Sequence, residues 1–166
     1  AGRLDELKSY LSQYESELSD ARPTLCVNAA VDALAGHYDY EARKQGIQIE
    51  WKLELPKLLP LPEADLCTIL GNLLENALHA VADLPADRKH ISLYCGVRQN
   101  KLLIEIRNPC AGPIAMRDGL PISDREGHGY GCRSIQAIAQ RNGGLCVFSA
   151  QQGQFLLQIM LPVLET

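Results

Sequence analysis

The sequence has no excess of positive charge: 16 Lys and Arg stand against 20 Asp and Glu, a net charge of −4. No general field therefore draws it to nucleic acid or to an anionic membrane, and any anion it binds must be held by a local site. No apolar run approaches the roughly 20 residues of a membrane span, and the opening "AGRLDELKSY" has neither the basic flank nor the apolar stretch of a signal peptide. That reads as a soluble piece. The six cysteines (Cys26, Cys67, Cys95, Cys110, Cys132 and Cys146) form no Cys-x-x-Cys pair, and no histidine stands at metal-ligand spacing. They read as reduced, mostly buried thiols of a cytosolic protein rather than disulfides or zinc ligands. Two phosphate-binding signatures are missing too. A Rossmann fingerprint would need glycine where Cys132 stands, and a P-loop would need Gly-Lys-Ser/Thr.

What is present suits one globular domain: 46% hydrophobic and 22% charged residues among 166 can bury a single core. Leu4, Leu7, Leu11, Tyr14 and Leu18 repeat at helical spacing, an a/d seam of about two heptads that fits a partner helix, or a terminal helix lying on its own domain. Arg22-Pro23 ends it. "TLCVN" reads as a short strand. Helical spacing resumes over Ala29 to Gln45, with Gly46 as its stop. "IQIEWKLEL", residues 47–55, alternates as a strand with one buried face. Residues 63–84 form the clearest helix. "HISLYCGVR" and "KLLIEIRN" read as an antiparallel hairpin turning at Gln99-Asn100. Residues 108–127 make a long aperiodic loop. A glycine run, a helix through about Gln140, an Asn142-Gly143-Gly144 stop and the strands "LCVFSAQQ" and "QFLLQIMLP" follow. The expected fold is an α+β, two-layer sandwich with a mixed, mostly antiparallel sheet and helices on one face.

Leu66, Leu70, Leu73, Leu74, Ala77 and Val81 explain why the helix over 63–84 exists. Asn72 and Asn76, four apart on one stripe with Thr68 and His79, gain nothing from propensity and need another reason. They fit two readings: solvent-facing or loop-capping groups, or oxygens that hold a hydrated magnesium ion against a polyphosphate. Magnesium keeps several waters and takes few protein oxygens, so a single amide ligand suffices. His79, one turn on, is placed to donate to phosphate or to lie at the surface. Gly127, Gly129 and Gly131 alternate with His128 and Tyr130 ahead of a helix whose first turn presents unpaired N–H groups. The run fits a phosphate cradle or a plain hinge. Arg133 lies in that first turn, where the helix dipole opposes a cation and a bound phosphate would reverse the effect.

Taken in order, "LCTILGNLLENALHAV" resembles the N-box of histidine-kinase ATP-binding domains, and "GHGYGCRSI" resembles their second glycine box. The segment between them stands where that family has its ATP lid, and "RNGGLCVFSAQQGQFLLQIMLP" is similar to its closing helix end and strands. The resemblance covers roughly residues 24–163. It implies the GHKL fold, with ATP and Mg²⁺ between the N-box helix and a long lid. On that resemblance Asn76 matches the Mg²⁺-ligating asparagine, Asn72 the polar residue one turn earlier and His79 a phosphate-facing position. Gly127, His128, Gly129 and Gly131, with Arg133 behind them, match the box that closes over the phosphates. The family's DxGxG box is lost: Asn108 stands where its adenine-reading aspartate is expected, and Cys132 replaces the usual leucine at a packing position. A subgroup of Gram-positive peptide-sensing kinases is similar in lacking a normal DxGxG box.

The resemblance implies phosphoryl transfer from Mg-ATP to a histidine outside this chain, on an upstream dimerisation domain. Residues 1–22 would be the end of that domain and 23–166 the catalytic domain. A response regulator, a homodimeric full-length protein with a membrane anchor, a cytoplasmic location and no nucleic-acid partner complete the expectation. The chain alone is expected to bind nucleotide without autophosphorylating. The rival readings are an anti-sigma-type serine kinase, a gyrase-type ATPase and a degenerate, non-catalytic nucleotide-binding or dimerisation module. The ATPase would need a glutamate where Asn72 stands.

Overall fold

The computed structural model describes Asp5, Glu6, Ser9, Tyr10 and residues 22–122 and 130–163. Asp5, Glu6, Ser9 and Tyr10 are helical. The seam positions Leu4, Leu7, Leu11, Tyr14 and Leu18 lie outside the described residues. The first long helix, α1, spans Ala29–Lys44. Asn28 caps it, its Oδ1 accepting from the Val31 amide at 3.2 Å, and Gly46 ends it at φ +67°.

The short strand expected in "TLCVN" does not form. The amides of Leu25 and Cys26 both donate to Asp32 Oδ1, at 2.7 and 3.2 Å, and Arg22 donates to the same carboxylate at 2.8 Å. Backbone donors that a strand would give to a neighbour are used by the first turn of α1 instead.

Strand β1 (Gln48–Glu54) leads through α2 (Glu63–Val81) to β2 (His90–Arg98), which it pairs in parallel. A helical crossover is what parallel neighbours require. Helix α2 stops three residues before Leu84, the expected end. Pro85 disfavours helical backbone at Leu84, whose amide instead closes a turn to the Val81 carbonyl at 3.1 Å. Strand β3 (Lys101–Pro109) returns antiparallel to β2 through Gln99 and Asn100, both at positive φ.

The aperiodic loop contains a two-stranded hairpin, β4 (Met116–Arg117) and β5 (Leu120–Pro121), around Asp118-Gly119. Two-residue strands leave no alternation to read, so the Asp-Gly turn pair was its one signal. Helix α3 (Tyr130–Arg141), β6 (Leu145–Gln151) and β7 (Gln154–Pro162) follow. At the α3–β6 junction a Cβ on Gly144 would collide with the Met160 carbonyl.

The main sheet runs β1-β2-β3-β7-β6, antiparallel except for its first pair. One face carries Ile91, Leu93, Leu102, Ile104, Leu157 and Leu161, all buried beneath the helices. This is the expected α+β sandwich with its helices on one face. Helix α2 supplies the centre of the core through Leu66, Ile69, Leu70, Leu73 and Leu74.

Candidate nucleotide site

Helices α2 and α3 pack side by side and run in opposite directions. At the N-terminal end of α2, Asp65 accepts from Arg141 Nη2 at 2.7 Å and from Asn142 Nδ2 at 3.0 Å, at the far end of α3. Further along α2, the first turn of α3 lies against Asn72 and Asn76. A Cβ built on Gly131 would stand 3.3 Å from Asn76 Nδ2, 3.5 Å from Asn76 Oδ1 and 3.8 Å from Asn72 Cβ. Only glycine leaves the Asn76 amide unpressed at this approach.

Asn72 and Asn76 are half-buried, one helical turn apart. Asn76 Nδ2 donates to Cys132 Sγ at 3.5 Å. Burial pushes the Cys132 thiol above its ordinary value, so it stays protonated at neutral pH. Thr68, on the same stripe, turns its hydroxyl back to the Ala64 carbonyl at 2.7 Å, within its own helix.

Glu75, adjacent in sequence, faces α1 instead and accepts from Tyr38 Oη at 3.0 Å. Glu75 is therefore turned away from the stripe that carries Asn72 and Asn76. Among the described residues no group of three or more His, Cys, Asp or Glu side chains could hold a metal ion. A divalent ion here would take one or two amide oxygens and complete its shell with phosphate and water, which suits magnesium.

The remaining expected positions divide. His79 is exposed in the last turn of α2 and Arg133 is exposed in the first turn of α3. Asn108 lies on the helix-facing side of β3, only 1% exposed, and donates from Nδ2 to the Pro109 carbonyl at 3.0 Å. An aspartate could not make that bond, since an ionised carboxylate only accepts. Gly127, His128 and Gly129 lie outside the described residues. The structure thus brings Asn72, Asn76 and Gly131 together and adds Cys132, a contact across 56 residues with no local sequence signature.

A family profile for GHKL domains matches residues 61–162. No curated protein matches the sequence. Among solved structures, the nucleotide-free catalytic domain of histidine kinase ThkA superposes with a TM-score of 0.63 at 16% identity, over 82% of this chain and 91% of that one. The histidine kinase AdeS of Acinetobacter baumannii gives 0.59 at 18% identity, over 81% of this chain and 64% of that one. A blue-light activated histidine kinase of Erythrobacter litoralis gives 0.59 at 13%, over 82% and 61%. At these identities the likeness is one of fold.

Proposed function

The chain belongs to the GHKL domain family, and on that premise we propose that it is the ATP-binding catalytic domain of a two-component sensor histidine kinase. It would pass the γ-phosphoryl group of Mg-ATP to a histidine on an upstream dimerisation domain outside this chain, leaving ADP. The observation that carries the reading is the close approach of Gly131 to the Asn76 amide and to Asn72, so tight that an added Cβ would press on Asn76.

Each residue's task follows from its chemistry. The amide oxygen of Asn76 would face the metal, and Asn72 would support it from one turn earlier. Arg133, exposed in the first turn of α3, would offer positive charge to phosphate, His79 and His128 would offer ring N–H donors, and Gly127 and Gly129 would offer backbone amides. Bound magnesium would neutralise charge on the phosphates. The protein's part is to position and to neutralise, with no covalent step of its own. The wider assignment is that of a Gram-positive peptide-sensing kinase: a homodimer, membrane-anchored at full length, ending its dimerisation helix within residues 1–22 and passing phosphate to a response regulator.

Calorimetry with Mg-ATP tests this on the wild type and on Asn76→Ala. Binding by the wild type that weakens at least tenfold in the variant is expected; equal affinities would remove Asn76 from the site. One observation favours a second reading, a degenerate module that no longer turns nucleotide over. Asn108 gives up the charge-assisted bond to adenine and spends its amide on Pro109. No measurable ATP binding by the wild type would decide for that module.

A further inference from the structure

The geometry points to Cys132 as the positioning residue for Asn76, the group that fixes which end of that amide faces the phosphates. The inference rests on the reading of Asn76 as the magnesium-facing residue. An asparagine amide is nearly symmetric in shape but not in chemistry: its oxygen binds a cation and its NH₂ group repels one. A neighbour that accepts from one end therefore sets what the other end can do.

In this protein that neighbour is the thiol, with Asn76 Nδ2 donating to Cys132 Sγ at 3.5 Å. The bond leaves Oδ1 as the end the sulfur does not hold. Gly131, next in the chain, places no Cβ against either amide atom, so the side chain can reach the sulfur. Sulfur also suits the task. A neutral thiol accepts an amide hydrogen weakly, yet as a soft group it does not compete for a hard, oxygen-seeking cation. A carboxylate at the same place would take the ion itself. Cys132 is held by the first turn of α3 and Asn76 by the middle of α2, so the two helices must be in register for the amide to be set.

The test is calorimetric titration of the full chain with ATP, once with magnesium chloride and once with a chelator. The ratio of the two affinities isolates the metal's contribution. Magnesium should strengthen ATP binding to the wild type. In Cys132→Ala that strengthening should shrink on the order of threefold to tenfold while metal-free ATP affinity holds, as expected for one modest hydrogen bond. Cys132→Ser keeps an acceptor and should restore most of it. Cys132→Val, which fills the space without accepting, should behave like alanine and serves if the alanine variant is too unstable to titrate. A mere packing role would give equal losses with and without magnesium and no rescue by serine, and that pattern would overturn the proposal. An unchanged magnesium effect in both apolar variants would overturn it too, while leaving Asn76 as the site. A wild type that binds ATP with no magnesium effect would remove the parent reading of Asn76, and the role of Cys132 with it.

Discussion

Asn72 and Asn76 each give up about 0.5 kcal/mol of helix propensity relative to alanine. Helix α2 absorbs this because the opposite stripe, Leu66 to Val81, is buried against the sheet. That mismatch between residue type and element is why the pair could be singled out from sequence. Cys132 could not, because a cysteine in a helix reads as a small packing residue until its partner is known. The same limit applies to Tyr38, which occupies an apolar spacing of α1 but holds Glu75 with its hydroxyl. Burial first, and the Glu75 carboxylate second, push the Tyr38 phenol up to about 12 from its ordinary 10.0. The fold favours the neutral phenol. Its contribution to stability is therefore complete below pH 10 and is lost as the pH rises from there through about 12. Ultraviolet difference titration should find a late-ionising tyrosine in the wild type that is missing from Tyr38→Phe. The melting temperature of the variant should fall less steeply across that alkaline window; identical slopes would mean that neither burial nor Glu75 holds the phenol neutral in the fold.

Three two-residue turns share one geometry: Gln99-Asn100, Asp118-Gly119 and Gln152-Gly153 all lie at positive φ. This pattern fits type I′ turns, whose twist matches the strands they join. Two of the three place glycine second, and Gln99-Asn100 does not. A non-glycine residue there carries a steric cost that glycine avoids. Replacing Gln99-Asn100 by Asn-Gly should raise the urea midpoint, with a gain of about 0.5–1 kcal/mol at unchanged slope. A midpoint that stays put would show that the Val163 amide's bond to the Asn100 carbonyl already fixes this turn. The elements legible in the sequence were those with long, unbroken periods: α1, β1, α2 and the two hairpins of the main sheet. Those that escaped it were decided by a few atoms. The Asp32 carboxylate takes the amides of Leu25 and Cys26, and β4 and β5 are too short to alternate.

The arrangement of the whole molecule was legible in outline, since two-residue turns force antiparallel neighbours and a helix between β1 and β2 permits a parallel pair. What no local pattern could show is how α2 and α3 are locked at both ends. Gly131 meets Asn76 at one end, and Asp65 holds Arg141 and Asn142 at the other, 76 and 77 residues away in sequence. The second lock keeps the C-terminal end of α3 in place, so the Gly131 end of the same helix is aligned by a rigid rod. Its strength should depend on acid. The Asn142 amide first, and then the Arg141 guanidinium against some opposing burial, hold the Asp65 carboxyl below its ordinary 3.8. A group lowered in this way stabilises the fold above its unfolded value, and the benefit is lost as the pH falls from about 3.8 through the lower folded value. Asp65→Asn should therefore melt below the wild type at neutral pH, with the two curves converging as the pH drops below 3.8. Parallel curves down to the acid limit would mean that the charge of Asp65 contributes nothing to the lock, and that the packing of α2 on α3 aligns Gly131 with Asn76 unaided.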